Sequence, residues 1–165
     1  MSLRPFRMED VDDLHHLWTN REVRRHLWDD VVIPRELAVS VVASSLESAE
    51  TQGIGMWSLL LRTRPGHLIG FCGFRFLPDS PEIEILYGLS PGYWKRGLAT
   101  EACRAALAYA FGLPGVERVF AGADAPNRAS FRVMERLGME AYPEGIPGVP
   151  GAVYYKIDRE RFGGR

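Results

Sequence analysis

Ten residues from Gly92 to Glu101, reading GYWKRGLATE, join a run of branched and aromatic residues to the start of a strongly patterned helix. A junction of that kind is suited to holding an anion. The first-turn N–H groups of Leu98, Ala99 and Thr100 have no partner within the helix, and the helix dipole adds partial positive charge. Gly97 lets the backbone come close to a phosphate. Lys95 and Arg96 bring mobile cations to the rim, next to Trp94. The predicted chemistry is recognition of a diphosphate. The spacing is neither Gly-x-x-x-x-Gly-Lys-Ser/Thr nor Gly-x-Gly-x-x-Gly, which disfavours a nucleotide-binding domain of another type.

Upstream, Glu82 and Glu84 stand two residues apart, on what should be one face of a strand. Either carboxylate could take a proton directly or through a water; the alternative is a pair of solvated charges on a half-exposed strand. Downstream, Asn127 can cap a further helix by accepting from its first-turn amides, and Ser130 follows within that helix.

The elements that must position these groups are legible as changes of period. Leu3 to Phe6, with Pro5 denying the ladder one donor, predicts a short edge strand. Val11, Leu14, Leu17 and Trp18 recur at helical spacing, and a second helix from about Pro34, placed at its first position, should bury Leu37, Val41 and Leu46. Met56 to Arg62, His67 to Phe76 and Glu82 to Leu89 then read as three successive antiparallel strands split by turn residues. Leu98 to Phe111 carries one apolar stripe and ends at Gly112 and Pro114, and a strand at about Val116 to Ala123 follows. That strand–helix–strand unit implies a crossover between parallel strands, so the sheet should be mixed. A helix from Asn127 to Leu137, closed by Gly138, and a last strand at Ala152 to Ile157 complete the chain.

Composition bounds the rest. A chain of 165 residues, 46% of them hydrophobic, can bury one core, so a single domain over residues 1–165 is expected. Twenty Lys and Arg against 21 Asp and Glu leave no broad basic face, which argues against nucleic acid as a partner. No apolar run approaches the roughly 20 residues that span a bilayer and no signal-like stretch opens the chain, so a cytoplasmic protein without a membrane partner is expected. Cys72 and Cys103 fall in apolar patterns that predict buried thiols rather than a disulfide. His15, His16, His26 and His67 have no spacing that suits a metal, and read as surface or packing residues.

The segment Glu84 to Ala102, EILYGLSPGYWKRGLATEA, resembles the coenzyme-A-binding core of GNAT acetyltransferases, in the branch that contains ribosomal-protein N-terminal acetyltransferases. NRASFRVMERLGM from Asn127, the opening LRPFRMEDVDDLHHLW and the ending YYKIDRERF are similar to the same branch. The resemblance implies an α/β fold with a mostly antiparallel sheet, one parallel strand pair splayed around the cofactor and about four helices. It implies acetyl-CoA as cosubstrate, no metal, and an amine acceptor that is either a protein N-terminus or a small amine. An acyl-CoA-binding module without turnover is the alternative, and the protein would be a monomer or a homodimer.

The resemblance also assigns residues. Tyr87 and Gly88 would form a bulge, freeing amides from Tyr87 to Leu89 for the pantetheine and the thioester oxygen. Residues 94–100 would hold the diphosphate, with Trp94 where the superfamily usually has Arg or Gln and Lys95 where relatives often have glycine. Asn127 would contact the cofactor. Met134 stands where many relatives carry a tyrosine, leaving Ser130 to assist the departing thiolate. The acceptor pocket would be built largely by the first two helices and their loop, roughly Asn20 to Pro34. The amine must be neutral to attack: at pH 7 this costs roughly 4.6 kcal/mol for a lysine-like amine and only about 1.4 for an α-amine.

Overall fold

Alternating apolar residues build seven strands into one mixed sheet, described by a computed structural model over residues 1–64 and 66–164. The strands are β1 (Ser2–Pro5), β2 (Met56–Leu60), β3 (Leu68–Phe76), β4 (Ile83–Leu89), β5 (Arg118–Asp124), β6 (Glu140–Tyr142) and β7 (Ala152–Asp158). Their spatial order is β1-β2-β3-β4-β5-β7-β6. β4 and β5 form the parallel pair expected of the crossover; the other neighbours are antiparallel. Pro5 does lie in the edge strand, where its missing donor costs nothing.

The helices are α1 (Val11–Thr19), α2 (Arg21–Arg24), α3 (Arg35–Gln52), α4 (Leu98–Gly112), α5 (Arg128–Leu137) and α6 (Arg159–Gly163). α4 and α5 cover one face of the sheet. The small side chains of Ala102, Ala106 and Ala110 let α4 pack closely over Ile83, Ile85 and Leu89. α1 and α3 cover the other face, where Trp18 packs edge-on against Phe71 with ring centroids 5.8 Å apart. A third, smaller apolar cluster of Leu77, Phe120 and Tyr154 lies under the residues 143–151 that link β6 to β7.

Two expectations need correction. Pro34 is the residue before α3, with extended backbone (φ −69°, ψ 153°), and not its first residue. α3 buries Ala38 and Val42 completely, whereas Leu37 is exposed and Val41 and Leu46 are half-buried. Valine and leucine occur on several sides of this helix, so period alone does not choose its face; α1 packs against the side that has a small alanine. The short elements α2, β6 and α6 carry too few residues for a period to show.

Two polar devices tie the fold together. Asp10 is buried, yet its carboxylate accepts from both Arg4 nitrogens (2.7 and 3.1 Å), from the Arg7 N–H (2.9 Å) and from Ser58 Oγ (2.8 Å). Burial alone would raise the carboxyl pKa; the bonds from Arg4, Ser58 and Arg7 outweigh it and hold it below the ordinary value. At the far end of the chain, Arg159 donates to the carbonyls of Phe111, of Leu113 (2.9 Å) and of Val116 (2.6 Å), satisfying the C-terminal end of α4. Cys72 and Cys103 are fully buried free thiols, Sγ to Sγ 3.8 Å apart.

Candidate active site

The junction between β4 and α4 is shaped as an open cradle. Ser90 starts a 3-10 turn, Pro91–Tyr93, and the Trp94 indole N–H donates to the Leu89 carbonyl at 2.7 Å, pinning the turn to the end of β4. Lys95 takes a left-handed conformation (φ 59°), which glycine adopts at less cost, and Gly97 does the same (φ 77°). No side chain caps α4, and its first backbone bond runs from Glu101 N–H to the Gly97 carbonyl at 3.0 Å. The amides of Leu98, Ala99 and Thr100 are therefore left pointing outward. A Cβ added to Gly97 would meet nothing within 4 Å, so the space in front of these donors is open. Arg96 stacks over the Tyr93 ring (5.6 Å), whose hydroxyl lies 3.1 Å from His67 Nε2. A groove of about 600 Å³ leads from Gly97 and Thr100 along α4 past Arg104 to Arg136.

From the cradle, β4 leads to a gap in the sheet. β5 pairs with β4 only at Ile83–Val119 and Glu84–Phe120; beyond them β4 has no partner on that side. The register with β3 is unbroken from Phe76–Ile83 to Gly70–Leu89, so Tyr87 and Gly88 do not form the expected bulge. The free donors arise differently. Ser90 N–H donates to the Ile69 carbonyl, so alternation points the Tyr87 and Leu89 N–H groups the other way, at the edge that β5 has left. On the α5 side, the Tyr87 hydroxyl donates to the Ser130 carbonyl at 3.2 Å. Burial, and then the neighbouring Cys103, push that phenol well above its ordinary value. Asn127 caps α5 by accepting from Ser130 N–H at 3.1 Å, and Met134 is buried one turn further on.

The opposite face of the gap carries Glu84, Leu86 and Gly88 of β4 and Phe120, Gly122 and Asp124 of β5. Glu84 is 3% exposed and held by Arg75 Nε at 2.6 Å. Glu82 is half-buried, with Arg118 3.5 Å away. Burial, followed by the Glu84 charge, raises the Tyr154 hydroxyl above its ordinary value. The segment between α1 and α3 borders this face: Trp28 packs against Trp18 at 5.9 Å, and Trp28, Asp29 and Asp30 all have positive φ (58°, 51°, 60°). Three left-handed non-glycine residues in succession store strain, a feature concentrated at functional sites.

An open helix N-terminus beside the point where two parallel strands part matches a known pattern. Residues 1–140 match the family model "Acetyltransferase (GNAT) domain". The chain is a GNAT acetyltransferase. It is similar to an uncharacterized N-acetyltransferase, p20, of Bacillus licheniformis, at 26% identity over 85% of this chain and 79% of that one. In fold it is similar to an acetyltransferase of Agrobacterium tumefaciens (TM-score 0.82, 24% identity, 94% and 88% of the two chains). It is also similar in fold to RimL, a ribosomal L7/L12 α-N-protein acetyltransferase solved with coenzyme A (TM-score 0.75, 19% identity, 94% and 92%).

In this acetyltransferase the sequence-derived residues fall into two groups. Trp94 to Thr100, Tyr87 and Leu89 of β4, and Asn127 with Ser130 gather around the cradle and the gap, on the α4 and α5 side, whereas Gly88 faces Phe71 on the other. Glu82 and Glu84 lie on the opposite side, each already beside an arginine. Sequence reasoning missed His26, whose Nδ1 lies 3.8 Å from Asp124 Oδ2, because no spacing links residues so far apart in the chain. Among the described residues no helix is long and apolar enough to cross a membrane.

Proposed function

We propose that the protein, acting as one domain, transfers the acetyl group of acetyl-CoA to a primary amine by direct attack within a ternary complex. The acceptor is an α-amine of a protein or peptide, or a small-molecule amine. The observation that carries the reading is the gap between β4 and β5, which opens beside the cradle and leads to the opposite face. Residues 94–100 hold the diphosphate through outward-pointing amides, and the groove past Arg104 takes the nucleotide end. The Tyr87 and Leu89 amides bond the pantetheine and polarise the thioester oxygen, where negative charge develops. Holding the amine and thioester together on one rigid sheet supplies much of the acceleration. Asn127 and Ser130 border the sulfur, with Ser130 assisting the thiolate. Glu84 stands four residues before Gly88, roughly 13 Å along the strand, so neither it nor Glu82 reaches the acceptor amine except through water.

Binding without turnover has one observation in its favour: Met134, which cannot donate a proton, is buried at the position of the tyrosine in many relatives. Thiol release from acetyl-CoA, measured against a panel of α-amine peptides, N-terminally blocked lysine peptides, polyamines and aminoglycosides, separates the two. Release that depends on one amine class supports catalysis. Tight coenzyme binding with no amine-dependent release favours the binding module.

A further inference from the structure

His26 and Asp124 form the one contact between ionisable groups that ties the segment between α2 and α3 to β5 among the described residues. Register fixes their height. Glu84 pairs with Phe120, so counting on along the two parallel strands brings Asp124 level with Gly88. Asp124 shares the face of Phe120 and Gly122, which is the face of Glu84 and Gly88. Imidazole and carboxylate therefore stand on the acceptor face, across the gap from the strand edge that holds the Tyr87 and Leu89 amides. The His26 side chain is 29% exposed and that of Asp124 52%, so a substrate can reach both. The Asp124 carbonyl also accepts from Asn127 N–H at 2.8 Å, tying this pair to the start of α5.

We propose that His26, oriented by Asp124, is the base that takes the proton from the acceptor ammonium. The proposal rests on the acetyl-transfer reading. Asp124 favours the tautomer with hydrogen on Nδ1, which leaves the Nε2 lone pair free. The acceptor R–NH3⁺ gives one proton to Nε2 and becomes R–NH2. Its nitrogen pair forms a bond to the thioester carbon, and the C–S bond breaks with its electron pair going to sulfur. The second nitrogen proton ends on sulfur as the coenzyme A thiol, and the imidazolium returns the first proton to solvent. The charged group facing His26 from β5 is Asp124, and those near it in sequence are Glu22, Arg24, Arg25, Asp29 and Asp30. Arg24 is engaged by Asp30 at 2.9 Å.

The test compares wild type, His26→Gln and Asp124→Asn, using acetyl-CoA and a short peptide with a free α-amine and no lysine. His26→Gln is expected to lose about 100-fold or more in kcat/KM, to lose the rising limb of its pH profile, and to regain part of the rate with added imidazole. Asp124→Asn should lose less and shift the His26 tautomer, read from ¹⁵N ring shifts. Coenzyme A affinity should change by less than about twofold in both. A His26→Gln enzyme that keeps its rate and its limb, or loses rate without rescue by imidazole and with the limb unmoved, overturns the proposal. If wild type acetylates no amine in the panel, the acetyl-transfer reading itself fails. Identical His26 tautomers in wild type and Asp124→Asn would then refute the orientation by Asp124, and a shifted tautomer would uphold it.

Discussion

Replacing Gly97 separates backbone strain from ligand recognition, because both costs can be worked out from its surroundings. Gly97 has φ 77°, a conformation that costs a residue with a Cβ about 1–2 kcal/mol. The stiffer unfolded chain returns roughly 0.5–1 kcal/mol, so Gly97→Ala should destabilise the free protein by about 1 kcal/mol, or ~2–4 °C in Tm. No steric penalty adds to this, since the new Cβ would touch nothing within 4 Å. Gly97→Glu should therefore unfold at nearly the same temperature as Gly97→Ala. The two differ with coenzyme A present. The glutamate side chain enters the open space ahead of the Leu98, Ala99 and Thr100 amides and sets a negative charge beside the diphosphate. Losing one charge-assisted bond costs about 1.5–3 kcal/mol, a tenfold to hundredfold weakening, and charge repulsion adds to it. Calorimetry with coenzyme A, alongside thermal unfolding of the free proteins, reads both quantities. An unchanged Kd in Gly97→Glu would refute the cradle; equal Kd losses in the alanine and glutamate variants would assign the effect to backbone geometry.

Lys95→Gly removes a left-handed lysine and should raise Tm by about 1–4 °C in differential scanning calorimetry. Gly88→Ala should lower stability by about 1–3 kcal/mol in urea unfolding, because its Cβ would come within 2.6 Å of the Phe71 ring, itself packed on Trp18. Asp10, with its carboxyl held low, contributes stability that is present above the unfolded value near ~3.9 and lost as pH falls through the lower folded value. Asp10→Asn should thus cost about 2–4 kcal/mol at neutral pH, and the gap to wild type in denaturant titrations should narrow below about pH 4.

Much of this architecture could be read from residue order. The α4 stripe, the flanking strands and the glycine before Leu98 are local patterns, and the cradle they build is local too. What escaped depends on partners distant in the chain. The amides of Tyr87 and Leu89 are freed by the departure of β5, not by an irregularity in β4, and nothing between Glu82 and Leu89 encodes where β5 turns away. Ala38 is buried because α1 lies over it, and its own helix has no period strong enough to say so. His26 meets Asp124 only once the segment after α2 has folded back over the sheet. The left-handed run from Trp28 to Asp30 has no glycine to announce it.

The clamp that Arg159 places on the end of α4 bears on how the protein is made. The carbonyls of Phe111, Leu113 and Val116 wait for a guanidinium that the ribosome delivers 43 to 48 residues later, beyond β7. The helix whose other end opens the cradle is thus clamped by a residue synthesised well after it. A nascent chain halted short of Arg159 would have every cradle residue in hand but would leave those three carbonyls without their donor.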